Sequence, residues 1–369
     1  MYLWEQPRWP DWQWNERRLA GPLASARHRQ GVLVGRMQAL GFPLRQEATL
    51  ATLTEEVVKT SEIEGERLDP AQVRSSLARR LGMDAAGLVP ADRDVEGVVE
   101  MMLDATANYQ RRLTRRRLFD WHAALFPTGR SGMRRIAVGA WRDDREGPMR
   151  VVSGPIGKEK VHYIAPPARR VDAEAAAFLR WFNGAPRSDP VLISGLAHLW
   201  FVTIHPFDDG NGRIARAVAD MVLARSEKSA QRFYSMSSQI RQERNAYYRT
   251  LERTQKGTLD VTPWLEWFLG CFSRAVDNAQ NVLESTLRKA RFWERHAAHG
   301  FNERQRKIVN WLLDGFEGKL TSSKWATMNR CSQDTAYRDI LDLVEREILV
   351  KDPGGGRSTS YSLAANRKR

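Results

Sequence analysis

The chain has 369 residues, 42% hydrophobic and 28% charged, the composition of a globular protein with room for two or three domains. Its opening, Met1-Tyr-Leu-Trp-Glu-Gln-Pro7, lacks the basic and continuous apolar regions of a secretory signal, and its longest apolar stretch, Val191 to Ile204, is broken by Ser194, Gly195, His198 and Thr203, so no membrane span and a cytoplasmic location are expected. The net charge of +14 points to a polyanionic ligand or partner, but its spread in short runs such as Arg115, Arg116 and Arg117 is no nucleic-acid signature in itself.

In chain order, Tyr2, Trp4, Trp9, Trp12 and Trp14 make the N-terminus a segment that docks rather than a free tail. Leu50, Leu53, Val57 and Val58 then share one face of a predicted helix. Residues 128–135 and Arg142 to Gly147 read as charged, Gly-containing loops. Between Met149 and Pro167, Val151-Val152 and Val161-His-Tyr-Ile164 flank Gly154-Pro-Ile-Gly157, which predicts a β-hairpin. An amphipathic helix follows over 172–183, then the buried helix at 191–204 and another helix carrying Val218, Met221 and Val222. Cys271 and Cys331 lie 60 residues apart, without metal or disulfide spacing, and read as two buried, reduced thiols.

A polar break at His296 to Asn302 sets off a last unit of helix (303–314), helix (322–329), helix (333–347) and two short strands around Asp352-Pro-Gly-Gly-Gly-Arg357, an order that resembles a winged helix-turn-helix. Ser332 is the expected N-cap of the third helix, with Thr335, Tyr337 and Arg338 near its start. Residues 301–369 carry a net charge of only +4, so this unit either contacts duplex DNA or joins two copies into a homodimer. The chain is therefore expected to be mainly α, with an N-terminal helical region (1–90), a core (91–295) and a terminal domain (300–369).

The chemistry concentrates in His205-Pro-Phe-Asp-Asp-Gly-Asn-Gly-Arg-Ile-Ala-Arg216. Gly210 and Gly212 bare the backbone around Asn211, so consecutive N–H groups can cradle a phosphate at a helix N-terminus. Arg213 and Arg216 crowd two cations into a first helical turn, a conflict that an anion resolves. Asp209 beside such a cradle is a seat for magnesium, and His205 is a candidate general base.

These twelve residues fit the signature HxFx(D/E)GNGRxxR at every fixed position, and on that ground the chain resembles the Fic family. The resemblance implies a helical core, ATP as substrate with Mg2+, and AMP transfer to a Ser, Thr or Tyr hydroxyl of a target protein. In it His205 takes the hydroxyl proton, Asp209 holds the metal, Gly210, Asn211, Gly212 and Arg213 stabilise the phosphates, and Arg216 binds the γ-phosphate. The hairpin is where the family carries its flap, with Lys160, Val161, His162 and Tyr163 as the working edge, and Tyr248 in Asn245-Ala-Tyr-Tyr248 resembles the adenine contact. Thr60-Ser-Glu-Ile-Glu64-Gly65 fits the inhibitory pattern (S/T)xxxE(G/N), which implies that Glu64 restrains activity by pairing with Arg216. The reverse reaction, hydrolytic removal of AMP, stays open, as does an ATP-sensing DNA-binding regulator. A Doc-type phosphotransferase fits less well because Gly212 and Arg213 are intact.

Overall fold

A computed structural model describes residues 1–83, 89–145, 147–155, 157–184, 188–297, 299–313, 318–353 and 359–364. The chain divides into two units, Met1–Ala279 and Gln280–Arg369.

The first unit is helical. After a 3-10 turn at Leu3–Glu5 come α1 (Glu16–Gln38), α2 (Phe42–Ile63), α3 (Pro70–Arg80), α4 (Arg93–Ala107) and α5 (Arg115–Leu125). Two hairpins follow, β1 (Arg130–Ser131) with β2 (Arg134–Arg135), and β3 (Arg150–Ser153) with β4 (Lys160–Ile164). Then come α6 (Ala168–Asn183), α7 (Pro190–Ile204), α8 (Asn211–Glu227), α9 (Met236–Gln242), α10 (Arg244–Gln255) and α11 (Thr262–Arg295), which runs past the boundary into the second unit.

Helix α7 is the axis of this unit. Asp189 caps it by accepting from Val191 N at 2.8 Å, Pro190 presets its first turn, and every residue from Val191 to Ile204 is buried. A helix that is apolar on all sides can only be stable when surrounded. Gly195 lets α11 approach: a Cβ there would lie 3.0 Å from two ring atoms of Phe268, and Trp264 Nε1 donates to the Gly195 carbonyl at 2.8 Å. The tryptophan-rich opening covers another side, with Trp9 and Trp12 edge-on to Trp200 and Trp9 Nε1 donating to Glu174 at 2.8 Å.

In the hairpin β3–β4 the strands are antiparallel, Val151 opposite Tyr163 and Ser153 opposite Lys160, with an irregularity between Val151 and Val152. Residues 128–135, expected as loop, contain the short β1–β2 hairpin instead.

The second unit holds α12 (Glu303–Leu313), α13 (Ser322–Asn329), α14 (Gln333–Glu345) and the antiparallel pair β5 (Leu349–Lys351) and β6 (Tyr361–Leu363). Its core gathers Ile308, Trp325, Ile340, Leu343 and Leu349, and Phe292 and Trp293 of α11 pack against it. The unit therefore begins within α11, earlier than the polar break suggested, because those rings carry its hydrophobic contacts. Ser332 caps α14 by accepting from Thr335 N at 3.2 Å, Tyr337 and Arg338 are exposed, and Thr335 is half-buried. The expected Gly354-Gly-Gly-Arg357 turn lies outside the described residues. Cys271 is buried, but Cys331 is only partly so, a departure from the expectation for that thiol. None of the described helices is long and apolar enough to cross a membrane.

Candidate active site

His205 is the residue that ends α7. Its N–H still closes the helix on Phe201 O at 3.0 Å, but its own backbone is left-handed, φ 51 and ψ 59, which turns the chain out of the helix. For a non-glycine residue that conformation has to be held from outside. Arg142 holds it: Nε donates to His205 O at 2.7 Å, Nη2 to Pro166 O at 2.5 Å, Nη1 to Asp144 at 3.1 Å, and its backbone N–H to Pro206 O at 3.0 Å. The side chain of Arg142 is 0% exposed. Read from sequence as part of a charged loop, Arg142 is instead a buried staple between the end of α7 and the end of β4.

His205 Nδ1 faces the Val202 carbonyl at 3.2 Å. Since that oxygen can only accept, Nδ1 carries the proton and Nε2 keeps its lone pair. Desolvation pushes the imidazole pKa down to about 4, with the Arg142 cation acting in the same direction and the Val202 bond, Asp209 and Glu64 opposing it. The ring is therefore neutral at physiological pH.

The loop after His205 is built on Phe207 and Asn211. Phe207 is buried and stacks on His122 with centroids 4.2 Å apart. Asn211 accepts from Phe207 N at 3.0 Å and donates to Phe207 O at 2.8 Å, closing a ring that fixes the loop. Gly210 has φ +78, and a Cβ there would lie 2.9 Å from the Phe126 ring, so both backbone and space demand glycine. Asp209 is half-buried, accepts from Gly210 N at 2.5 Å and takes the Ser131 hydroxyl, while Asp208 accepts from Ala137 N at 2.9 Å. The segment around β1–β2 thus hangs from the loop's two aspartates.

Helix α8 starts at Asn211 and puts Arg213 and Arg216 in its opening turns, both 2% exposed. Arg216 forks onto the end of α2: Nε donates to Thr60 Oγ1 at 2.6 Å, Nη2 to Thr60 O at 2.9 Å and to Glu64 Oε1 at 2.7 Å. An added Cβ at Gly212 would lie 2.1 Å from that same Glu64 oxygen, so a carboxylate oxygen occupies the space over the bare backbone. Arg213 pairs with Glu66 and lies over the Phe126 ring at 5.0 Å. Gly65, at φ +89, makes the turn that lets both glutamates reach α8. Burial raises the Glu66 pKa, against the pull of Arg213, and Asp209, Glu64 and Asp94 raise it further. Even so, Arg216 Nη1 and Arg213 Nε are buried donors without a partner among the described residues. Unsatisfied buried guanidinium nitrogens beside a glycine cradle are what an anion site lacking its full anion would leave.

Tyr248 is half-buried under Arg244, 5.1 Å from its ring, and its pKa is raised by burial and then by Glu64, so it belongs to the same electrostatic neighbourhood. Tyr247 is the core residue of the pair, its hydroxyl 2.9 Å from His198 Nε2. On the hairpin, Lys160 is exposed and Val161 and His162 half-buried. Tyr163 departs from the expected edge: it is 1% exposed and its hydroxyl donates to Thr203 O at 2.6 Å, because alternation turns it inward onto α7. Arg142 and Glu66 were not singled out in the sequence. Glu66 had one available signal, its place two residues after Glu64 beyond a glycine.

For a metal, the described residues offer no group of three or more His, Cys, Asp or Glu side chains. The donor set near the cradle, Asp209 with the Ser131 hydroxyl, suits an ion that takes most of its ligands from phosphate and water.

Residues 112–223 match the Fic/DOC family, and residues 2–83 match a domain of unknown function, DUF4172. Over 102 residues, 27% of this chain, it is 34% identical to the protein adenylyltransferase Fic of Drosophila yakuba and 33% identical to that of Drosophila melanogaster. The match spans 19% of the length of those relatives. Among solved structures, a Fic family protein from Desulfovibrio desulfuricans G20 superposes with a TM-score of 0.53 at 21% identity, covering 95% of this chain and 97% of that one. A Fic-domain-containing signalling protein from Bacteroides thetaiotaomicron VPI-5482 gives 0.52 at 19% identity, covering 69% and 95%. The matched family segment contains α7, the entire 205–216 loop and most of α8, and the fold around it is shared with Fic structures: residues 112–223 of the chain form a Fic/DOC-family domain.

Proposed function

We propose that this chain transfers AMP from ATP to a Ser, Thr or Tyr hydroxyl of a protein and that Glu64 and Glu66 hold the activity down. The observation that carries the reading is a neutral histidine with a free Nε2 lone pair next to a glycine cradle flanked by two buried arginines that still have unpartnered donors. That combination supplies a proton acceptor and an anion site, the two parts that nucleotidyl transfer asks of a protein.

The target hydroxyl gives its proton to His205 Nε2 as its oxygen bonds to the α-phosphorus, and the bond from phosphorus to the pyrophosphate oxygen breaks. Backbone N–H groups of Gly210 to Gly212 and Arg213 stabilise the phosphoryl oxygens, and Arg216 takes the γ-phosphate. Phosphates near His205 oppose the effect of Arg142 and raise its basicity toward the working pH. Asp209, helped by Ser131, would hold Mg2+, which supplies charge neutralisation across the phosphates. Tyr248 would contact the adenine, and the hairpin at Lys160, Val161 and His162 would align an extended target segment by strand pairing.

Glu64 blocks this arrangement because its oxygen already occupies the space over Gly212 and the fork of Arg216. A γ-phosphate kept off Arg216 leaves the α-phosphate out of line, and misplacements of about 1 Å cost roughly 100-fold in rate. The same position favours a second reading, in which Glu64 orients a water that removes AMP from a modified protein. The C-terminal unit is read as a winged helix-turn-helix that contacts duplex DNA through α14.

The test uses labelled ATP with Mg2+ and cell lysate. Glu64→Gly is expected to raise AMP incorporation into lysate proteins and into the chain itself, while His205→Ala binds ATP and transfers no AMP. Undiminished lysate labelling by His205→Ala would end the mechanism. A rise in transfer together with a loss of AMP removal from a premodified target would favour the two-way enzyme.

A further inference from the structure

Four non-glycine residues among those described have a left-handed backbone: His205, Lys228, Arg330 and Glu347. Three of them are closed by their own helix. There the N–H of the next residue reaches back five positions, Ser229 to Ala224 O at 3.2 Å, Cys331 to Ala326 O at 3.1 Å and Ile348 to Leu343 O at 2.9 Å. After His205 the next residue is Pro206, which has no N–H to give, so that closure cannot form. The turn that carries the imidazole has to be closed by another part of the chain.

Arg142 closes it from 63 positions away and does so twice, with Nε on His205 O and its backbone N–H on Pro206 O. The same guanidinium reaches two further elements. Nη2 donates to Pro166 O, two residues past β4, and Nη1 donates to Asp144, whose other oxygen accepts from Ala168 N at 2.6 Å where α6 begins. The end of α7, the end of the hairpin and the start of α6 thus meet on one side chain. Desolvation lowers the pKa of that guanidinium, Asp144 and Asp208 work against it, and an arginine keeps its charge under such opposing effects.

Two constraints fix where His205 Nε2 points: the left-handed backbone and the Nδ1 bond to Val202 O. The second depends on the first, because the ring hangs from the Cα whose backbone Arg142 holds. We propose that Arg142 is the positioning residue for the proton acceptor: by closing the His205–Pro206 turn it sets the place of the imidazole, and by holding Pro166 with the same guanidinium it makes the seating of the hairpin a condition of that place. Its effect on rate rests on the AMP-transfer reading; its effect on the ring does not. Without the clamp, residue 205 is free to leave the left-handed region, Nδ1 loses the Val202 carbonyl, and the ring proton is no longer confined to Nδ1.

Two readouts test this on the full-length chain, with Arg142→Gln and Arg142→Lys as variants and Trp264→Phe as the control, since it removes an equally buried donor to an earlier carbonyl of α7, that of Gly195. The first is the ring 15N shifts of His205 at pH 7 without nucleotide, assigned by comparison with His205→Ala. The parent and Trp264→Phe should show one neutral tautomer with the proton on Nδ1, and Arg142→Gln a mixture of both. The second is AMP incorporation from labelled ATP with Mg2+ and lysate in the Glu64→Gly background. Arg142→Gln should lower the maximal rate about 100-fold while the KM for ATP stays within about twofold. Arg142→Lys, which keeps the charge and loses the planar fork, should fall between parent and Gln in both readouts, and it carries the same comparisons if Arg142→Gln does not fold. A single Nδ1–H tautomer in Arg142→Gln, or a maximal rate that falls as far in Trp264→Phe, overturns the proposal. A raised KM with the maximal rate unchanged also overturns it and makes Arg142 an ATP contact. If the Glu64→Gly chain transfers no AMP at all, the transfer reading falls, and the ring shifts alone decide whether Arg142 places His205.

Discussion

At the scale of single residues, the proposed activity turns on which anion occupies the loop's arginines. Glu64 takes Arg216 and Glu66 takes Arg213, and both carboxylates come from one short turn after α2. The two pairs differ in shielding: the Glu64 side chain is 29% exposed and that of Glu66 is 45% exposed. A more solvated carboxylate holds its partner less tightly, because water competes and screens. Glu66→Gln is therefore expected to raise AMP incorporation by a smaller factor than Glu64→Gly, and the double variant should exceed either single change. Initial rates with labelled ATP give the comparison. A Glu66→Gln rate below that of the unmodified chain would mean that Glu66 serves the nucleotide complex rather than the resting state.

At the scale of elements, α7 and α8 form the frame and buried histidines are its joints. His198 on α7 is 1% exposed, its Nε2 is 2.9 Å from the Tyr247 hydroxyl, and its Nδ1 has no hydrogen-bond partner among the described residues. Desolvation, with Arg216 adding to it, pushes its pKa down to about 3 from 6.5. The folded state therefore resists a proton that the unfolded chain accepts below about pH 6.5, so this residue's contribution is present above that pH and lost as pH falls toward 3. Between pH 7 and pH 5 the loss is about 2 kcal/mol, from about 1.4 kcal/mol per pH unit. His198→Gln keeps a partner for Tyr247 and cannot titrate, so its stability deficit at pH 7 should shrink by about that amount at pH 5, as measured by denaturant unfolding. Asp220, whose pKa is raised to about 8 chiefly by burial, works in the opposite direction, which is why the difference between variants is the informative quantity. The same frame shows what patterning reveals. An apolar run of α7's length and the Gly-Pro-containing hairpin were both legible, because periodicity and turn residues act locally. Arg142 was not, because its acceptors are carbonyl oxygens of His205 and Pro166, and any residue has a carbonyl.

At the scale of the whole molecule, the first unit carries both the loop and the carboxylates that occupy its arginines, all within Met1–Ala279. Among the described residues the second unit has its own core, the end of α11, helices α12 to α14 and a strand pair. If α14 contacts duplex DNA, Tyr337 and Arg338 are its exposed candidates, and binding should weaken steeply with salt as phosphate contacts release counterions. A mobility shift with duplex DNA at low salt, lost in Arg338→Ala and at raised salt, is the expected result. No shift with excess protein would leave the unit as a joining module.

The sequence by itself determined the resemblance to the Fic family and the mainly helical class, and it suggested a chemistry for the 205–216 loop, because glycine, histidine, arginine and aspartate at fixed spacing have consequences that do not depend on distant residues. It also pointed to Glu64 through a short motif at the end of a helix. Only the tertiary structure decided which groups meet that loop from elsewhere in the chain. Glu66 reaches Arg213 from 147 positions away and Arg142 reaches His205 across 63. Those pairings depend on how α2 and the segment before the hairpin pack around α7 and α8, and packing is set by the sum of many weak apolar contacts rather than by any local pattern.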